Sequence, residues 1–341
     1  MRVLVTGGAG YIGAVLTETL LAAGHSVRCL DRFFFGRDAV AHLEREYPDR
    51  LELVRGDVRW VGGEVFDSVD AVMDLAALSN DPTGELDPKK TLEINFEGRA
   101  RIARLAKEHG VRRYILASSC SIYGFQDGVL DESSTPNPLT TYAKANLEAE
   151  KHVLPLANSD FTVVVLRQAT VYGLSPRMRF DLAINGMVLG LFKKGTIPIL
   201  RDGTQWRPFV HVRDTVRAFL LSLEAEPSAV SGQVFNVGAD EQNLQIFPLA
   251  QTVAEAVGVP FRYEWYGLPD HRSYRVSFKK VRSVLGFEPS YTPSEGAREI
   301  HEALRTGAVT DGMKTITLQW YKHLLEMQLF LRETEIGGVL I

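Results

Sequence analysis

Thr6-Gly7-Gly8-Ala9-Gly10-Tyr11-Ile12-Gly13 decides the fold of this chain. An apolar run, Val3 to Val5, precedes it, and Val15-Leu16-Thr17-Glu18-Thr19-Leu20-Leu21 follows. Strand, glycine turn and helix therefore stand in register. A helix N-terminus so placed offers unpaired N–H groups and a positive dipole end to a phosphate. Gly7 permits the tight turn, Gly10 lets the backbone approach a pyrophosphate, and Gly13 lets the helix lie close to the sheet. Tyr11 and Ile12 belong to the same cofactor turn. The second apolar run, Ser26 to Leu30, ends at Asp31, eighteen residues after Gly13. An acid there accepts the ribose hydroxyls of an adenosine and repels a 2′-phosphate, which favours NAD; Arg32 beside it leaves NADP open.

The 341 residues suggest two domains. A net charge of −4 argues against a nucleic-acid partner. The two cysteines, Cys29 in an apolar run and Cys120 in a serine-rich turn, form neither a disulfide framework nor a metal knuckle, and no metal is expected. No apolar run approaches the roughly twenty residues that span a bilayer. The first strand begins at the first residues, so the chain reads as a cytoplasmic protein with no membrane partner.

The first half alternates strand-like and helix-like segments, the pattern of a parallel sheet covered on both faces. Strands are expected over 2–6, 26–31, 51–55, 70–74, 113–117 and 161–167, and helices near 11–23, 37–47, 90–109 and 141–157. Asp57, followed by Val58, ends the third strand and either bonds an adenine amino group or caps a turn. Leu75, Ala76 and Ala77 follow the fourth strand, where small residues leave room for a cofactor. After Arg167 the rhythm changes. The expected division is a dinucleotide-binding domain over 1–170 with 210–237, an interleaved smaller α/β substrate domain over 171–209 and 238–312, and a terminal helix and tail over 313–341. The fold class is thus α/β, a doubly wound Rossmann-type parallel sheet with a second, smaller domain.

Two stretches stand out as carriers of the chemistry. Ser118-Ser119-Cys120-Ser121-Ile122-Tyr123-Gly124 closes the fifth strand, and Tyr142 opens the next helix in Thr140-Thr141-Tyr142-Ala143-Lys144-Ala145-Asn146. A strand-end serine and a tyrosine on the following helix converge at the carboxyl edge of the sheet, where open α/β folds bind ligands. Together with the glycine turn, Asp31, Leu166-Arg167…Tyr172-Gly173 and Arg207-Pro208-Phe209-Val210-His211-Val212, the chain resembles the extended short-chain dehydrogenase/reductase family, nearest its nucleotide-sugar epimerases and dehydratases.

That resemblance implies a tyrosinate, Tyr142, that takes a sugar hydroxyl proton while hydride passes to NAD. Ser119 shares the hydrogen bond to the same oxygen. It also implies a nucleotide-diphosphate sugar as substrate and a homodimer built on the helices near 90–109 and 141–157. The chain departs from the family's Tyr-x-x-x-Lys: Asn146 stands four residues after Tyr142, and Lys144 lies about 200° around the helix. Asn146 can keep the nicotinamide-ribose bond but brings no charge. A slow enzyme, an alkaline optimum or another base is the expected result, with Asn146→Lys raising turnover at neutral pH.

The acid that family dehydratases carry two residues before the turn tyrosine is Ser121 here, which argues against a 4,6-dehydratase. Cys120 is read as a small buried thiol more readily than as an acid or base. Arg207 matches the family's substrate-diphosphate arginine, and Arg272 is the preferred second one. His211 reads as structural. A non-redox cyclase or isomerase, or an NAD-binding module with little catalysis, remains open beside the sugar enzyme, because fold alone decides neither.

Overall fold

Val3, Leu4 and Val5 are wholly buried and form the middle of a seven-stranded parallel sheet. The computed structural model describes residues 1–268, 270 and 272–336. The sheet is built from β1 (Arg2–Thr6), β2 (Ser26–Asp31), β3 (Leu51–Arg55), β4 (Ala71–Asp74), β5 (Arg113–Ser119), β6 (Thr162–Gln168) and β7 (Gln233–Val237), in the order β7-β6-β5-β4-β1-β2-β3. The order reverses at β1, so the crevice outside the strand ends opens beside the glycine turn. Alternation sorts the strand side chains. Leu4, Leu30, Val72, Leu116 and Val165 pack one face, while Val3, Val5, Cys29, Met73, Ile115 and Val164 pack the other. Both faces are covered, so the strands read as nearly unbroken apolar runs.

The expected helix over 90–109 is divided. Pro88–Leu92 leads into a π-helical stretch, Glu93–Gly98, before regular helix resumes at Arg99–Glu108. Such wide turns occur mostly at functional sites. Here it carries Asn95, whose amide accepts from Leu78 N at 2.8 Å and donates to Leu78 O at 3.0 Å, fixing the segment after β4.

Downstream of β6 the chain builds smaller sheets. Trp206–His211 runs parallel to Thr170–Tyr172 and antiparallel to Asn243–Gln245; Ile197–Leu200 pairs with Tyr263–Tyr266, and Ser273–Val276 with Phe125–Leu130. Helices Ala183–Lys194, Ile246–Val257 and Pro293–Thr306 pack together beside them. The chain returns to the main sheet only at β7, which pairs with β6 from Gln233↔Val164 to Val237↔Gln168. The last helix, Thr317–Thr334, lies against the loop after β2, where Trp320 Nε1 donates to Phe34 O at 2.7 Å. The expected tail continues to 341, but its last five residues lie outside the described ones.

The glycine turn is tight for the reason the sequence suggests. Gly7 holds φ at 68° and donates to Leu30 O at 2.8 Å. A Cβ on Gly13 would strike the Gly7 carbonyl oxygen and stand 2.8 Å from Gly8 Cα. Beneath the turn lies Cys29, whose Sγ would be 2.6 Å from a Cβ on Gly8. Gly13→Ala is therefore expected to cost about 1–3 kcal/mol by overpacking. It should also push the turn off its phosphate-binding shape. Thermal unfolding with and without NAD checks both: the midpoint falls, and the upward shift given by NAD disappears.

Candidate active site

The strand ends, the glycine turn and the smaller sheets enclose a cavity of about 760 Å³. All the residues expected to hold the cofactor line it: Gly7, Gly10, Tyr11, Ile12, Gly13, Asp31, Asp57, Val58, Leu75, Ala76, Ala77 and Tyr142. So do Ser119, Ser121, Arg207 and Arg272.

Asp31 closes one end. Its carboxylate accepts from Ala9 N at 3.1 Å and Phe33 N at 2.7 Å, one donor per oxygen, which leaves acceptor capacity toward the cavity. Burial pushes this carboxyl up, and backbone donors and Arg177 oppose the rise. Arg32 turns away from Asp31 and donates to Asp57 at 2.8 Å. Asp57 also accepts the Arg59 backbone at 3.0 Å, so the turn-capping role is the one the protein itself satisfies. Phe34, Phe35 and Tyr321 complete this end, with the Tyr321 ring 5.9 Å from Phe34 and 5.5 Å from Phe35. Nothing in the sequence pattern links Tyr321 to Asp31.

The middle of the cavity holds Tyr142 and Ser119, the expected base and its partner. Thr140 caps the helix Thr141–Val153 by accepting from Ala143 N, which places Tyr142 in its first turn. Ser119 ends β5, and its Oγ accepts from Ser121 N at 3.1 Å. Burial pushes the Tyr142 phenol up; Arg99 is the strongest opposing influence, Asp81 adds to the rise, and Asn146 and Ser119 oppose it. Lys144 is exposed, as the helical spacing predicts.

Asn146 stands outside the residues that line the cavity, with a hydrogen bond at each end of its amide. Its Oδ1 accepts from Arg99 Nη1 at 2.8 Å, and its Nδ2 donates to Tyr142 O at 3.0 Å. It is thus a relay between Arg99 and the tyrosine helix, and its Nδ2 keeps a second N–H beyond the bond to Tyr142 O. Arg99, which lines the cavity, went unread in the sequence.

Gln168 also went unread. It is opposite Ser119 in the sheet and buried, and among the described residues both of its amide atoms lack a partner. Ser121 Oγ is likewise unpartnered. Cys120 does not line the cavity; its Sγ lies 3.2 Å from Arg167 O, and burial pushes the thiol up. His211 is fully buried, 2.7 Å from Glu299, with its ring stacked on Tyr291.

Toward the far end three arginines meet three acids. Arg179 pairs with Asp181 at 2.8 Å, while Arg177 belongs to the Asp31 end, 3.5 Å over the Phe35 ring. Arg207 and Arg272 share Asp270 at 2.8 and 2.7 Å, and Arg272 also pairs with Asp81. The two expected diphosphate ligands are therefore neighbours, held together by one carboxylate.

A family model described as the NAD dependent epimerase/dehydratase family matches residues 3–238. A UDP-glucose 4-epimerase of Mycolicibacterium smegmatis is 32% identical over 320 residues, covering 89% of this chain and 99% of that protein. A probable UDP-arabinose 4-epimerase 3 of Arabidopsis thaliana is 31% identical over 333 residues, covering 88% of this chain and 79% of that protein. Among solved structures, MoeE5 in complex with UDP-glucuronic acid and NAD superposes with a TM-score of 0.78 at 30% identity, covering 90% of this chain and 100% of that one.

Asp270 gives this end a pH signature. Burial alone would raise its carboxyl, but Arg272 and Arg207 hold it below the ordinary carboxylate range. A depressed carboxyl contributes stability above its unfolded pKa, about 3.9, and the contribution is lost as pH falls through the lower folded value. The stability gap between the native chain and Asp270→Asn should therefore be full at neutral pH and close only below about pH 4. Unfolding midpoints measured across that range check it.

Proposed function

The chain belongs to the NAD dependent epimerase/dehydratase family, and we propose that it epimerises C4 of a UDP-linked hexose, hexuronic acid or pentose. One observation carries the reading: Tyr142, Ser119, the glycine turn and the paired Arg207 and Arg272 all face a single cavity. The names of its relatives supply the nucleotide and the carbon.

The residues fit NAD. The glycine turn has no space for side chains at Gly7 and Gly13, and Asp31 keeps acceptor capacity for a ribose. NAD, when bound there, supplies a reversible hydride acceptor. In this reading Tyr142, as tyrosinate, removes the proton from the sugar hydroxyl and later returns it. Ser119 donates to the same oxygen and holds it in line. Arg207 and Arg272 exchange part of their bond to Asp270 for the diphosphate, whose oxygens suit paired guanidinium donors. Ser121 supplies no acid at the position from which a dehydratase would remove water, which supports epimerisation over elimination. The protein works as a homodimer in this reading, through the 90–109 and 141–157 segments, where Leu92 is exposed and Phe96 meets His152 at 4.6 Å.

The test is turnover of UDP-glucose, UDP-glucuronic acid and UDP-arabinose by the purified protein with excess NAD, followed by separation of the epimers. Conversion of one of them is expected. Tyr142→Phe should lower it about 10²–10⁴-fold while leaving NAD binding in place. Silence across the panel with NAD still bound would instead favour a non-redox catalyst or a binding module.

A further inference from the structure

Arg99 is a long cation in an unusual setting. Its side chain is 2% exposed, yet it reaches the cavity wall. Nε donates to Ala76 O at 3.1 Å, and Nη1 donates to Asn146 Oδ1 at 2.8 Å. Among the described residues these acceptors are a carbonyl and an amide, and no carboxylate pairs with the guanidinium. The carboxyl that feels it most directly is Asp74: burial pushes that group up, and Arg99, with the hydroxyls of Thr6 and Tyr114 that donate to it, opposes the rise. A buried guanidinium stays charged, because arginine does not give up its proton in proteins. Its positive charge acts on Asp74 and on whatever else faces it.

What faces it is the first turn of the Tyr142 helix. Asn146 accepts from Arg99 with one end of its amide and donates to the Tyr142 carbonyl with the other. The π-helical turn Glu93–Gly98 immediately precedes Arg99. We propose that Arg99, braced by Asn146, is the positioning cation for Tyr142, standing on the neighbouring helix in place of the lysine expected four residues after the tyrosine. This rests on the reading of Tyr142 as the base.

The pair Arg99–Asn146 divides what one lysine would do. The guanidinium supplies charge that favours the tyrosinate, and the amide fixes its distance from the tyrosine helix. Three charged groups bear on the phenol: Arg99 pulls it down, Asp81 pushes it up, and Arg179 feels it from the far side. Asp81 is itself paired with Arg272, whereas no carboxylate among the described residues forms an ion pair with Arg99. The assignment also reverses the expectation for Asn146→Lys. With Arg99 in place, a lysine there sets two buried cations side by side and should lower activity.

The experiment has two readouts on the full chain with NAD. The first is the phenolate absorbance of Tyr142, isolated as the difference between each protein and the same protein carrying Tyr142→Phe, titrated from about pH 6 to about pH 12.5. The second is the pH profile of kcat/KM for UDP-glucose. Arg99→Met should move the Tyr142 inflection alkaline by about 1–2 units. Arg99→Lys should largely keep it, and Arg99→Met with Asn146→Lys should bring it back. Asn146→Asp, which places a carboxylate on the guanidinium, is the second variant if Arg99→Met does not fold, and it should also shift the inflection alkaline. An unmoved inflection in whichever of these folds overturns the proposal. Failure of the catalytic reading is separate: there Tyr142→Phe leaves turnover unchanged, while the absorbance titration still reports whether Arg99 acts on the phenol.

Discussion

The site depends on one buried ion pair. Arg167 on β6 meets Glu150 on the tyrosine helix at 2.7 Å, with both side chains less than a tenth exposed. Arg167 Nε donates to both Glu150 oxygens at 3.1 Å, and Nη1 donates to the Tyr123 hydroxyl at 2.9 Å. Ser118, next to Ser119, donates its hydroxyl to Glu150 as well. One carboxylate therefore ties together the helix that carries Tyr142 and the strand end that carries Ser119. Breaking such a pair by removing one partner typically costs about 3–5 kcal/mol, because the other is left as an unpaired buried charge. The pair thereby fixes the placement of the Tyr142 helix against the strand end of Ser119.

Around that anchor the cavity is lined with charge already matched to charge. Arg179 has Asp181, and Arg207 and Arg272 have Asp270. An anionic ligand entering here competes with carboxylates for guanidinium groups that are already oriented. Orientation in advance lowers the cost of ordering those side chains on binding. Arg177 and Arg99 are the buried cavity arginines that form no ion pair with a carboxylate among the described residues, and burial together with the neighbouring Arg179 holds Arg177 below the ordinary arginine range.

How much of this was legible in the sequence follows from the range of each interaction. The glycine turn is local: three glycines, a preceding strand and a following helix decide it, and Gly7 and Gly13 lie where their lack of a Cβ demands. Asp31 and the Ser119–Tyr142 pair were readable because strand ends in a parallel sheet share one edge. The departure at Asn146 was readable too, as a residue four positions from a tyrosine. Its partner was not, because Arg99 lies 47 residues away on another helix and no periodicity joins them. The bonds that Arg32 and Arg59 make to Asp57 were not legible, since only the folded turn brings them together. Tyr321 was hidden for the same reason, since only tertiary packing brings the last helix to the β2 loop.

The interleaving of the chain bears on how the sheet is made during synthesis. β6 reads Thr-Val-Val-Val-Leu-Arg-Gln and is buried along its whole length in the finished protein. Its outer edge is covered only by β7, which ends at Val237. Until that segment leaves the ribosome, a strand rich in β-branched residues and free of proline presents unpaired backbone groups, the description of an aggregation-prone edge. The sixty-odd residues between the two strands thus set a waiting period in which the nascent sheet is nearly complete yet open on one side. A chaperone or slow elongation would have most to contribute over that interval.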